Sequence, residues 1–154
     1  MEKQLEQEIN IFDVANYIID KIPDITHMKL QKLIYYAHAF YLVEFKNKLI
    51  NSILQAWVYG PVFPELYMEF RQYSNKPVQK TDKGNEDKIS EERKISIDKV
   101  IKKYGHMSSG ELSVQTHNES PWFFKIDKSD DWSKNVIEDK DLESYFMSGL
   151  GTEI

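Results

Sequence analysis

The run LIYYAHAFYLV at residues 33–43 constrains the fold more tightly than any other part of this chain. Together with the residues before it, it reads as a helix from a Thr26 cap to about Lys46, with Leu30, Leu33, Ile34, Ala37, Tyr41 and Phe45 recurring on one face. A helix this apolar is stable in water only when other elements cover it, so it belongs at the centre of a core. The run falls far below the roughly 18 apolar residues of a membrane span, and it contains His38.

The other elements are placed around that helix. Asn10 and Asp13 mark a helix start, Ile11, Val14, Ala15, Ile18, Ile19 and Ile22 follow at helical intervals, and Pro23 ends the segment. Residues 49–60 have no clean helical period, and residues 56–59 favour a strand. A helix follows Pro61 or Pro64 to about Tyr73, carrying Leu66, Tyr67, Phe70 and Tyr73. Another covers about residues 91–104, with Gly105 in the C-terminal cap position. Ser108 and Glu111 form an S-x-x-E capping box that opens a helix ending before Pro121, and a last short helix covers about residues 140–147. The expectation is a mostly α, compact single-domain fold of about five to seven helices, with one short strand pair near residues 49–59. Residues 74–90, polar and holding a Pro and a Gly, read as an exposed flexible loop between two parts of one core, with short tails at 1–9 and 148–154.

Composition narrows the function classes. A length of 154 residues suits one domain, and 41% hydrophobic residues are enough to form its core without disulfides. Cysteine is absent, which removes disulfide frameworks, thiolate zinc sites and thiol catalysis and suits a reducing compartment. The charged start MEKQLEQEIN lacks the basic-then-apolar pattern of a secretory signal, so the expected location is the cytoplasm. A formal charge of −5 repels phosphate backbones, and the lysines at 76–88 and 99–103 are mixed with acidic residues or lie on a solvated helix face. Direct nucleic-acid binding is therefore not expected.

Neither phosphate-loop pattern occurs, and the four histidines never reach i, i+4 spacing with one another, so no cofactor and no metal site is expected. Ser113 and His117 do stand four apart on one helix face, but without a strained nucleophile turn the pair is better read as chance. Glu91, Glu92, Asp139 and Asp141 suit helix first turns. The row Tyr35, Tyr36, Phe40 and Tyr41 is read as core rather than as a stacking surface. The stretch AWVYGPVFPELY at 56–67 is read as a structural corner rather than a pocket. In that reading Gly60 and Pro61 turn the chain from an extended segment into a helix, and Trp57, Tyr59, Phe63 and Tyr67 wedge the corner against the core.

Four segments taken together, LQKLIYYAHAFYL at 30–42, QAWVYGPVFPELYMEF at 55–70, YGHMSSGELSVQTHNESPW at 104–122 and DLESYF at 141–146, resemble the SocA-like antitoxin, or Panacea-domain, family of bacterial and prophage proteins. The resemblance runs from about Ile11 to Phe146. It implies a non-enzymatic antitoxin that binds a protein partner, a toxin encoded by an adjacent gene. The alternatives it leaves open are a protease adaptor, contacting its client through the 74–90 loop or the C-terminal tail, and a prophage protein of other role. Some family antitoxins carry an added DNA-binding domain; with about nine residues before the first helix, direct operator binding is not expected here. The residues expected to bind a partner or determine the fold are Tyr35, Trp57, Tyr59, Pro61, Tyr67, His117, Glu119 and Trp122.

Overall fold

The computed structural model describes residues 8–126 and 135–147. These form helices α1 (Ile11–Lys21) and α2 (His27–Phe45), a hairpin of β1 (Gln55–Trp57) and β2 (Gly60–Val62), and helices α3 (Pro64–Phe70), α4 (Glu91–Tyr104), α5 (Ser109–His117), α6 (Ser120–Phe123) and α7 (Asp139–Met147), with single 3-10 turns at Arg71–Tyr73 and Glu86–Lys88. The mostly α architecture matches the expectation. The C-terminal tail suggested as an adaptor contact lies, at 148–154, outside the described residues.

Helix α2 is the axis of the molecule. It packs against α1, α3, α4, α5, α7 and β2, which is why Leu30, Leu33, Ile34, Tyr35, Tyr36 and Ala37 are all fully buried although they lie on more than one face. Its aromatics order the far half of the core: the Tyr36 ring stacks on Tyr104 with centroids 4.1 Å apart and planes 11° apart, and Phe146 meets Phe40 edge-on at 5.3 Å. The tyrosine row is core. Among the described residues no helix is long and apolar enough to cross a membrane.

Local chemistry fixes the helix ends. The Asn10 side chain accepts from the Phe12 and Asp13 amides at 2.8 and 3.0 Å, and Asp13 returns a bond to the Asn10 amide at 2.8 Å. Ser108 and Glu111 make the same reciprocal pair on α5. Thr26 caps α2. Residues 74–90 lie against α1 and its connection to α2: Val78 and Ile89 are buried, and the Val78 amide donates to the Ile25 carbonyl at 3.0 Å. Asn16 then clamps the backbone of Thr81, accepting its amide proton at 2.9 Å and donating to its carbonyl at 2.9 Å and to that of Gly84 at 3.1 Å. Gly84 has to be small, since a Cβ there would lie 2.3 Å from the Phe12 carbonyl oxygen.

The corner at 56–67 differs from its expected shape. Gly60 and Pro61 do not turn the chain into a helix; they form β2, with Ala56 opposite Pro61 and Trp57 opposite Gly60, and the turn is made by Val58 and Tyr59. Proline fits there because, among the described residues, β2 pairs only with β1, so a missing amide proton breaks no second ladder. The helix begins at Pro64, where a first-turn proline loses no hydrogen bond. Past α5, Pro121 does not simply end a helix but starts the short α6.

Candidate functional site

The buried face of α2 carries three polar residues at its N-terminal end: His27, Gln31 and Lys32. His27 and Gln31 are one turn apart and meet at 3.0 Å. Burial, and next the Lys32 charge, hold the His27 imidazole down at about 4, so it is neutral and can accept from the Gln31 amide. Gln31 also pairs with the backbone of Phe63, accepting from its amide at 2.9 Å and donating to its carbonyl at 3.2 Å. Lys32, with no exposed surface, donates from Nζ to the Pro61 carbonyl at 3.1 Å, and burial lowers its pKa to about 7. The close approach of Lys32 explains Gly60. A Cβ there would lie 2.6 Å from Lys32 Cε and 2.8 Å from Thr116 Oγ1, and the backbone at Gly60 sits at φ +119°, a conformation side chains resist.

Helices α5 and α6 grip the same hairpin from the other side. Ser113 Oγ donates to the Tyr59 carbonyl at 2.7 Å, the His117 ring bonds to the Val58 backbone, and Trp122 Nε1 donates to the Trp57 carbonyl at 2.6 Å. The His117 and Trp122 rings stack 4.0 Å apart at 17°. Burial and the Lys32 charge lower the His117 pKa, opposed by its bond to Val58. Trp57 stands edge-on to Tyr67 at 5.0 Å, and Tyr67 lies against His27 at 5.6 Å. Between residues 57 and 63, the backbone is thus held by side chains from α2, α5 and α6.

Six of the eight expected residues, Trp57, Tyr59, Pro61, Tyr67, His117 and Trp122, therefore lie in or against the hairpin. Their roles divide. Pro61 is buried, and Trp57, Tyr67, His117 and Trp122 are half-buried supports. Tyr59 does not wedge the corner: it is exposed at the turn beside exposed Val58. Tyr35 and Glu119 lie elsewhere, each beside Tyr36 in the core. Tyr35 is fully buried against Tyr36, with centroids 5.0 Å apart, and Glu119 is buried and accepts from the Tyr36 hydroxyl at 3.0 Å. Burial pushes the Glu119 carboxyl up to about 7, against hydrogen bonds from Tyr36 and Gln115.

Ser113 and His117, four apart on α5, each bond to the hairpin backbone instead of forming a nucleophile and base. Residues that the sequence reading passed over, Gln31 and Lys32, are central to the grip. Their signal was polar character inside a helix expected to be covered on all sides, because a buried polar group there needs a partner.

Comparison with known proteins agrees with this geometry. The family described as antitoxin SocA-like, Panacea domain, matches residues 30–123, a span that includes α2 from Leu30, the hairpin, α5 and α6. The chain is similar to the antitoxin SocA of Caulobacter vibrioides (strain NA1000 / CB15N), at 32% identity over 132 residues that cover 75% of this chain and 70% of that protein. No solved structure matches the chain.

Proposed function

Since this chain belongs to the SocA-like antitoxin, Panacea-domain family, we propose that it is an antitoxin that neutralises a protein toxin, the product of an adjacent gene, by direct contact. The observation that carries the reading is the family match itself, because it spans the hairpin and the helices that hold it. The geometry supports a binding role. Holding a surface segment rigid before association reduces the ordering cost of binding, and the bonds from Gln31, Lys32, Ser113 and Trp122 hold residues 57–63 in that way. The action is stoichiometric, with no bond made or broken and no cofactor required. With a formal charge of −5, the chain suits a protein partner better than a nucleic acid.

Co-expression tests the reading. The adjacent gene product alone should arrest growth, and this chain should restore growth and co-purify with that product as a stable complex. A toxic neighbour that stays active and uncomplexed beside this chain would contradict direct neutralisation. Restored growth without a complex would point to action through a third component such as a protease.

A further inference from the structure

The geometry points to the tip of the β-hairpin, Val58 and Tyr59, as the element that docks into the toxin, with Val114 on α5 and Phe123 and Phe124 at the end of α6 as its apolar surround. The inference rests on the toxin reading above and names the surface that reading left open.

Single exposed apolar residues are ordinary, but the two at this tip are consecutive and are 72% and 66% exposed. A two-residue turn made only to connect strands is best served by Asn or Gly, and Val and Tyr are poor choices. Here Val58 and Tyr59 keep negative φ, and Gly60 takes the left-handed step in their place. The turn is built so that two large side chains can occupy it. Around them, the polar side chains point at backbone, not at solvent: Lys32 to Pro61, Ser113 to Tyr59 and Trp122 to Trp57. A buried lysine is an expensive way to fix a strand unless the position of that strand matters.

The surround continues this apolar character. Val114 follows Ser113, which bonds the tip, and Phe123 follows Trp122, which bonds β1; Val114, Phe123 and Phe124 are all exposed. The chain as a whole carries a formal charge of −5. Glu111 lies on α5 and Glu143 on α7, which packs on α6, while Asp139 and Asp141 of α7 are paired with Lys48 and Lys125 at 3.3 Å each. Charge complementarity then selects the occupant: a basic toxin with an apolar recess that takes Tyr59 and Val58, rimmed by lysine or arginine.

The test uses the full chain and the purified product of its adjacent gene. Tyr59→Ala should weaken binding about tenfold or more, as expected for a central aromatic anchor, and Val58→Asp should abolish growth rescue. Ile95→Asp, on the exposed face of α4, should bind and rescue like the unaltered chain. Because Val58 and Tyr59 are exposed, both tip variants should keep the unaltered melting temperature, which separates lost docking from lost folding. Added salt should weaken the complex if the rim is cationic. Full rescue and unchanged affinity in both tip variants would overturn the proposal while leaving the antitoxin reading intact. Failure of the unaltered chain to bind its neighbour would overturn both.

Discussion

Lys32 and Glu119 make the pH dependence of stability legible at the level of single residues. Between about pH 4.5 and 7, the unfolded chain has released a Glu119 proton that the folded chain retains, so this group makes stability fall as pH rises. Between about pH 7 and 10.5, the folded chain has released a Lys32 proton that the unfolded chain retains, so this group makes stability rise. Each contributes a slope of up to about 1.4 kcal/mol per pH unit, and their combined contribution is least favourable near neutrality. Lys32→Met keeps the buried stem and removes the charge. Relative to the unaltered chain it should be stabilised or unchanged at pH 7 and lose that advantage towards pH 9.5, as read by denaturant unfolding at each pH. Parallel curves for the two proteins across that range would refute the assignment. Lys32 was also the hardest residue to read in advance. Its partner, Pro61, is 29 residues away, and only the packing of β2 on α2 shows why a lysine stands inside an apolar helix. Tyr59 was misread for the opposite reason: its size suggested burial, but the placement of the turn at 58–59 sends it outward.

Among the elements, those set by local chemistry were readable and those set by distant contacts were not. The reciprocal caps of α1 and α5 were recognisable because both partners lie within three residues, and the bounds of α4 followed from its periodicity. A strand pair was expected near residues 49–59, but Gly60 and Pro61, residues strongly associated with turns, were read as turning the chain into a helix rather than as part of the second strand. In the fold Gly60 is required by the Lys32 and Thr116 side chains beside it, and Pro61 is accommodated on an open strand edge. The segment at 74–90 makes a similar point. Its composition signals a loop, yet its backbone is bound by α1 side chains more than 60 residues distant in sequence. Asn16 makes three of those bonds from a buried position, so Asn16→Ala should destabilise the protein by about 2–3 kcal/mol, as measured by chemical denaturation. A change below about 0.5 kcal/mol would mean that the strap contributes little to folding.

For the molecule as a whole, one apolar helix organises the core, and the polar residues at its N-terminal end position a hairpin at the surface. The family was recognisable from segments that turn out to be parts of one assembly: α2, the hairpin with α3, and α5 with α6. Motif spacing suggested that they belonged together without showing that their side chains converge on the backbone between residues 57 and 63. The candidate surface was legible only in part, because exposure of Val58, Val114, Phe123 and Phe124 depends on how helices pack rather than on residue type. The central claim is that a hairpin held rigid from behind engages the toxin at its tip. Amide hydrogen exchange, measured on the chain alone and then with the adjacent gene product bound, tests it most directly. The account predicts added protection at residues 58–60 and along the outer faces of α5 and α6, with α1 and α4 unchanged. Protection confined to α1 or α4, with the hairpin exchanging as in the free chain, would contradict it.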